Sequence, residues 1–514
     1  MCRSVQLRCN SNTPAAAAAA AVLGVFAANL VLAQDLSLDA DIDTFSASSQ
    51  QTGAAERGTD DTRRFLIPAL EIPTFELLLN RADHLHDAAT YPFPTKNLST
   101  NLHRSWVVDN DKFSTNQFLH PYAGSMYQGF ARSAGLDFWH ASAYTFAGSV
   151  LWEEAGENTK PSINDQVATG IGGNFLGEPL FRIASLLLER GSSNPHWWRA
   201  LAAGIVSPPT AFNRLAFGDR LGPIFSSNDP ALFTRFDVSV NAYTNYTSNV
   251  KANADPSAPP AGQTLQRAWA YANFTMAYGL PGKPDYSYDR PFDYFNLDLG
   301  SDTATGVETV FSRGLLYGRA YASGDNYRGI WGLYGLYDYV APNIFRVSST
   351  AGALGTTGQW WLSQKVALQE TGLLGVGYAA GGLIHGAGIT RPSPNGEGMR
   401  NYHYGVAPES VIALRLIFPD RAALEASARG YYISRLGATE STGTETIERF
   451  AIALTMRIYK LHGVIVRYQI ANRDGRYLDE PDSHQRVATV YVGYTFIGQK
   501  NFGAVDWRGS TEQQ

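Results

Sequence analysis

The second half of the chain alternates apolar and polar side chains with a period of two over long runs. The clearest runs lie at 236–241, 271–276, 449–458 and 487–496. A period of two places successive side chains on opposite faces of a β-strand. In the third run one face carries Phe450, Ile452, Leu454, Met456 and Ile458, and the other carries Arg449, Ala451, Ala453, Thr455 and Arg457.

The length of the runs at 449–458 and 487–496, which have ten residues each, separates two kinds of β-protein. Strands of soluble sandwiches have about 5–6 residues, whereas strands that cross a membrane have about 9–11. Short connections at 419–420 and 460–463 alternate with longer polar loops at 248–263, 391–400 and 472–485. Trp and Tyr also recur near the predicted strand ends. These patterns predict a mainly β fold, an antiparallel transmembrane β-barrel of about 12 strands over residues 232–498, preceded by a compact helical unit.

The N-terminus predicts export. Arg3 and Arg8 precede an apolar run that ends in small residues before Gln34, as in a cleaved signal peptide over 1–33. Cys2 and Cys9 are the two cysteines of the chain and both lie in that segment. We therefore expect a mature protein without cysteine in the bacterial outer membrane, with outer-membrane lipid and the barrel assembly machinery as partners. A net charge of −5 argues against nucleic acid.

The remaining residues divide into four segments. Residues 34–62 are polar and small and predict a flexible leader. A mixed lead-in follows over 63–105, with an extended piece leading into a short helix. Residues 106–220 form the predicted helical unit, and 499–514 form a C-terminal tail. We expect the unit to lie either on the periplasmic side of the barrel or in its mouth.

Three helices are expected in the helical unit. They begin at Pro121, at Phe138 and near Ser162, and Pro179 is expected to kink or split the third. Gly170, Gly173 and Gly177 recur at spacings of three and four in that helix. They give it a smooth face on which another backbone can lie closely.

A series of spaced motifs runs through this unit: N-x-x-x-H-P-x-x-G-x-x-Y, then A-R-x-x-G, then P-S-x-x-D and G-E. With these motifs the segment 106–178 resembles an uncharacterised family of bacterial envelope proteins. The resemblance implies an envelope protein with such a unit beside a barrel, and it brings no activity. The matching residues are Asn116, His120, Pro121, Gly124, Tyr127, Ala131, Arg132, Gly135, Pro161, Ser162, Asp165, Gly177 and Glu178.

His120 is the candidate general base of the helical unit, with Asp165 or Glu178 as the carboxylate that orients it. Each residue also has a structural interpretation. His120 can bond to backbone, Asp165 can sit at the positive end of a helix, and Glu178 can pair with Arg182. The chain contains no P-loop lysine, G-x-S-x-G or H-E-x-x-H motif. We therefore predict neither a cofactor nor a metal site.

A second candidate site lies inside the predicted barrel. If the apolar series faces outwards, five arginines point into the lumen and would attract anionic solutes or lipid headgroups. The alternative is an internal ion-pair network with acids such as Glu425 and Asp338. The arginines are Arg415, Arg429, Arg449, Arg457 and Arg467.

Three functions remain open from the sequence. The first is an outer-membrane barrel for envelope maintenance or solute passage. The second is a barrel-supported enzyme acting on envelope lipid or glycan. The third is a soluble periplasmic β-rich binding protein.

Overall fold

The computed structural model describes most of the chain from residue 61 onwards. The predicted signal peptide and nearly all of the predicted leader lie outside the described residues, as does most of the loop at 248–263. The described residues are 61–109, 111–189, 197–217, 225–248, 268–303, 306–342, 345–383, 391–392, 399–400, 402–436, 443–477 and 482–508.

Twelve antiparallel strands close into a barrel. Each strand pairs with its neighbours along the chain, and the last strand pairs with the first, so the topology is up-and-down. The predicted fold class and strand number are confirmed. The strands are β1 (Leu232–Ser248), β2 (Ala268–Tyr278), β3 (Phe295–Asp302), β4 (Gly306–Ser323), β5 (Tyr327–Val340), β6 (Phe345–Ser363), β7 (Val366–Leu383), β8 (Tyr402–Phe418), β9 (Ala422–Ile433), β10 (Gly443–Tyr459), β11 (His462–Tyr477) and β12 (Ser483–Ile497).

The two ends of the barrel differ. Tight turns join β4 to β5, β6 to β7, β8 to β9 and β10 to β11 at one end, which we call the turn end, and Asp420 and Lys460 adopt positive φ there. The long connection from β2 to β3, residues 279–294, also lies at this end. The opposite end, the loop end, carries the long connections from β1 to β2 and from β7 to β8, the second of which includes a two-residue ribbon between 391–392 and 399–400. The prediction of a loop over 472–485 is wrong at both ends of that range. β11 and β12 stay paired from Asn472 and Arg486 to Gly475 and Ser483, because Arg473 is neutralised inside the barrel by Glu445.

The side chains of each strand alternate between an outward and an inward face. In β1, Val238 and Val240 point outwards and are exposed, whereas Asp237, Ser239 and Asn241 point inwards and are buried. Residues paired directly across neighbouring strands share a face, so the registers identify the outward residues of the other strands from those of β1. Exposed outward positions include Leu354, Leu374, Val376, Ile412, Leu414, Phe450, Ile452, Leu454, Val464, Val466 and Val492.

Helices occupy the chain before the barrel. The predicted lead-in contains a continuous helix through Pro68 and Pro73, where an extended piece was expected. No helix in the described part of the chain is long and apolar enough to cross a membrane. The helices are α1 (Asp61–His84), α2 (Pro94–Asn101), α3 (His120–Ser133), α4 (Phe138–Leu151), α5 (Ile163–Val167), α6 (Gly173–Glu189), α7 (Trp197–Val206) and α8 (Pro208–Phe217), with π-helical turns at Thr115–Leu119, Trp152–Gly156 and Ala168–Gly172.

Proline and glycine determine how these helices pack. Pro179 stays inside α6, and the carbonyl of Phe175, which proline cannot bond, accepts a hydrogen bond from the Ser312 hydroxyl of β4. The predicted smooth face also exists. A Cβ on Gly173 would lie 2.5 Å from the Cα of Gly124 in α3, so only glycine permits this approach of the two backbones.

The helical unit lies against the outer face of the barrel. Eight outward residues, one on each strand from β1 to β8, form a row of direct pairing partners, and all eight are buried. Helical residues such as Phe118, Phe138 and Phe175 pack into the same core as most of this row. The expected position on the periplasmic side or in the barrel mouth is therefore wrong. The row is Phe236, Phe274, Leu299, Val310, Tyr339, Ser348, Ala380 and Tyr404.

The C-terminal tail enters the turn end of the barrel. The backbone of Val505 exchanges hydrogen bonds with the inward side chain of Gln359, and Gln369 donates to the carbonyl of Gly503. Phe502 is fully buried, and Trp507 donates to the carbonyl of Asp325. The tail therefore fills this end of the lumen together with inward apolar side chains of the strands.

The loop end of the lumen is also filled. Inward apolar side chains near the strand ends pack into one cluster there, so side chains of the barrel strands themselves fill this end. They include Tyr243, Val340, Phe345, Val347, Ile433 and Ile447.

Candidate functional site

His120 and Asp165 meet at the contact between the helical unit and the barrel. The Nε2 atom of His120 lies 3.6 Å from Oδ2 of Asp165, and Asp165 is 1% exposed. The π-helical turn at Thr115–Leu119 leads directly into α3, so His120 sits within a continuous helical stretch rather than ahead of one. Asp165 follows the N-cap residue Ser162, whose hydroxyl accepts from the Asp165 backbone N–H.

A polar network surrounds this pair. The side-chain amide of Asn164 donates to Asp165 Oδ1 at 2.9 Å, to Asp109 Oδ1 at 2.8 Å and to the hydroxyl of Tyr404 at 3.0 Å. Asn116 donates to the same oxygen of Asp109 at 2.5 Å. Because Tyr404 belongs to the outward face of β8, the network is shared by the helices and the barrel wall.

Burial controls the charge of the pair. It raises the pKa of Asp165 to about 8, so this carboxyl is mostly protonated at neutral pH. Burial also lowers the pKa of His120, against the attraction of Asp109 and Asp111. A neutral imidazole beside a protonated carboxyl is therefore the dominant form at pH 7, and this imidazole can accept a proton.

Glu178 belongs to a different cluster. Its carboxylate accepts from Arg132 Nε at 2.7 Å and from Arg182 Nε at 2.9 Å. Burial alone would raise the pKa of Glu178, but the two guanidinium groups hold it below its usual value. Arg182 also pairs with Asp293, in the connection between β2 and β3, at 2.9 Å. Glu178 therefore has the partner that its structural interpretation named, Arg182, and ties α3 and α6 to the barrel.

The predicted luminal arginines point inwards, mostly with partners. Arg415 lies 2.8 Å from Glu425, and Arg429 lies 3.0 Å from Asp338, the two acids of the alternative interpretation. The other three predicted arginines have different kinds of partner. Arg467 lies 3.6 Å from Asp237, Arg449 donates to Gln469 at 2.6 Å, and Arg457 sits at the turn end beside Asp420 and the tail.

The sequence analysis missed further luminal charges. Arg235 bridges Asp237 and Glu425, and Arg473 pairs with Glu445. Arg235 stands at an inward position of the run 236–241 extended by one residue, which is the signal that could have found it. Between the two filled ends lies a cavity of about 210 Å³, lined by Arg313 and other inward side chains.

Metal ligation finds no support in the described part of the chain. No group of three or more His, Cys, Asp or Glu side chains there has an arrangement that could hold a metal ion.

Comparison with known proteins identifies the helical unit and leaves the activity open. The family model of a domain of unknown function (DUF3943) matches residues 105–209. No curated protein matches the chain.

Among solved structures the chain is similar to outer-membrane barrels. A NanC porin is 7% identical, with 50% of this chain and 98% of the porin covered and a TM-score of 0.24. The outer membrane channel DcaP of Acinetobacter baumannii is 7% identical, with coverage of 52% and 96% and a TM-score of 0.20. The toluene transporter TodX of Pseudomonas putida is 9% identical, with coverage of 53% and 90% and a TM-score of 0.21. Values this low carry no information on function.

Proposed function

We propose that the protein is an integral outer-membrane barrel with an occluded lumen, which serves the envelope through its outer wall and the helical unit on it. The observation that carries the proposal is the band of exposed apolar side chains on the outward face. Ile412, Ile452 and Val492 lie in the middle of long strands and are each about half exposed. Such a band is stable where acyl chains surround the barrel.

The filled lumen argues against an open diffusion pore. The tail occupies the turn end and an apolar cluster the loop end. Solute passage would require both the tail and the cluster at the loop end to move. A solute in the central cavity would meet buried N–H groups of Arg313, Arg415 and Arg449 that lack a partner among the described residues, so an anion fits best.

Two neighbouring residues of β10 test the membrane location. Ile452→Arg places a charge on the outward face and should cost about 2–4 kcal/mol if that face meets the bilayer midplane. Ala451→Glu is the control for an introduced charge at the adjacent position, because Ala451 faces the central cavity, where arginines can pair with a carboxylate. We expect loss of the folded, heat-modifiable gel band and of outer-membrane fractionation for Ile452→Arg alone. Equal damage by both changes, or recovery of the wild type as a detergent-free periplasmic monomer, would refute the proposal.

A barrel-supported enzyme acting on envelope lipid or glycan is the second candidate. The closeness of His120 and Asp165 favours it, because an imidazole that can accept a proton lies beside a carboxyl group. His120 keeps 14% of its side chain exposed, so a small reacting group has access to it.

Glutamine at position 120 separates catalysis from structure. Gln keeps the size and hydrogen bonding of His120 but cannot accept a proton near neutral pH. We expect His120→Gln to fold and to complement a deletion strain, and His120→Ala to lower the folded yield. His140→Gln is the control, since His140 is exposed beside Asp137. A folded His120→Gln protein that fails complementation, beside a functional control, would instead establish the enzyme.

A further inference from the structure

The position of the helical unit on the barrel determines which medium surrounds it. The buried outward row from Phe236 in β1 to Tyr404 in β8 follows direct pairing partners and so runs perpendicular to the strands. Strands of membrane barrels tilt by about 35–45° from the barrel axis. A row perpendicular to such strands climbs along the axis as it passes from β1 to β8.

The two ends of the row confirm the climb. Phe236 lies four residues from the first residue of β1, Leu232, at the turn end of the barrel. Tyr404 lies two residues from the first residue of β8, Tyr402, at the loop end. The unit therefore passes obliquely from near one rim towards the other and does not stand beyond either rim.

Apolar wall continues beside the unit. On β6 and β7, next to the covered positions, Leu354, Leu374 and Val376 point outwards and are more than half exposed. The medium that solvates these side chains also reaches the flank of the helical unit.

The outward face of the unit is itself largely apolar, with an exposed pair of Asp137 and His140 at the start of α4. Trp139 and Phe146 of α4 are about half exposed, and α4 contains no Asp, Glu, Lys or Arg. Ile171 in the adjoining π-helical turn is exposed, and its neighbour Gly170 packs against Phe146. Other helices add exposed apolar side chains, namely Leu66, Leu70, Leu77 and Leu78 of α1, Trp197 and Leu201 of α7, and Phe212 and Leu215 of α8.

The charges inside the unit are arranged differently. Arg132, Glu178 and Arg182 are almost completely buried and neutralise one another. A soluble monomer rarely exposes so many large apolar side chains while it pairs its charges inside. Proteins within a bilayer do both.

We propose that the helical unit lies in the bilayer beside the barrel, with the outward face formed by α4 and the π-helical turn at Ala168–Gly172 in contact with lipid acyl chains. The unit is then a lipid-facing domain carried on the barrel wall. This inference rests on the proposed membrane location of the barrel.

Spin labels on single cysteines test it. In full-length protein with Cys2→Ser and Cys9→Ser, labels are placed by Phe146→Cys on α4 and by Ile452→Cys on the barrel, in vesicles of phosphatidylethanolamine and phosphatidylglycerol. Power saturation then compares collisions with oxygen, which concentrates in the acyl region, and with a water-soluble nickel chelate. We expect both labels to favour oxygen over the chelate.

Each other outcome has a distinct meaning. If the label at 452 favours oxygen and the label at 146 favours the chelate, the unit lies in water and the inference fails while the proposed function stands. If the label at 146 is shielded from both reagents, protein covers α4 and the inference also fails. If the label at 452 favours the chelate, the proposed membrane location fails first, and the inference falls with it.

Discussion

Neutralising Glu178 should loosen the helical unit on the barrel. Glu178 is 0% exposed and accepts hydrogen bonds from both Arg132 and Arg182, the second of which also holds Asp293. Removing one partner of a buried ion pair costs about 3–5 kcal/mol, because the other charge stays buried without compensation. Because Arg182 keeps Asp293 as a partner, we expect the cost of Glu178→Gln to lie near the lower end of this range, at about 3 kcal/mol. Since about 1.4 kcal/mol is a factor of ten, the open population of the unit should rise about a hundredfold.

Limited proteolysis of the purified protein in detergent measures this population when opening is fast relative to cleavage. The matched control is Glu71→Gln. Burial raises the pKa of Glu71 to about 7, and its carboxyl group accepts from the neutral side chain of Asn213, so at neutral pH the substitution removes only about half a charge and alters a bond to a neutral partner. We expect the unit of Glu178→Gln to be cleaved about a hundred times faster and that of Glu71→Gln within a few fold of wild type. Equal cleavage rates for wild type and Glu178→Gln would refute the role given to the network.

Three other changes test separate parts of the structure. Gly173→Leu should prevent α3 and α6 from packing, because its Cβ would lie 2.5 Å from Gly124 Cα, and should abolish protease resistance of the unit but leave the heat-modifiable barrel. Phe502→Asp should expel the tail from the turn end, because an unpaired aspartate cannot stay buried in this apolar cluster, and should make the tail accessible to added protease in the folded barrel; a tail as resistant as that of wild type would show that Phe502 does not hold it there. Burial raises the pKa of Asp165 from 3.8 to about 8, so the native state binds this proton more tightly than the unfolded chain does. The contribution of Asp165 to the free energy of unfolding is therefore full at low pH and is lost as pH rises from about 4 to 8. Asp165→Asn should reduce the fall of the thermal unfolding midpoint over this pH range. A midpoint that falls with pH as steeply as in wild type would contradict this role of Asp165.

The barrel was predictable because period-two alternation depends on each strand alone. Outward residues such as Ile452 and Val492 and inward ones such as Arg449 are assigned to the correct face by their parity. Strand ends with charged residues were not predictable in this way, because a residue such as Arg473 ends a strand in water but not beside Glu445 inside a barrel.

The position of the helical unit was not predictable from the apolar pattern. Phe274 and Leu297 would be apolar under lipid and under helices alike, so burial by the unit leaves no trace in them. The usable signal lies in outward hydroxyl groups. Ser312, Tyr337 and Tyr404 each hydrogen-bond the helical unit, which lipid could not do.

The candidate site was predicted in part for a related reason. His120 and Asp165 meet across α3 and α5, which are far apart in the sequence, so no local spacing encodes their contact. Glu178 sits four residues before Arg182, and this local spacing identified its actual partner.

Disulfide trapping across the barrel wall tests the outer docking of the helical unit most directly. A Cβ on Gly172 would lie 2.8 Å from the side-chain oxygen of Thr350, which points outwards from β6, whereas the adjacent Ala351 points into the lumen. In a background with Cys2→Ser and Cys9→Ser, mild oxidation should link Gly172→Cys to Thr350→Cys in folded barrels and should not link Gly172→Cys to Ala351→Cys. A link to position 351, or no link to position 350 in folded protein, would contradict the placement of the helical unit on the outer wall.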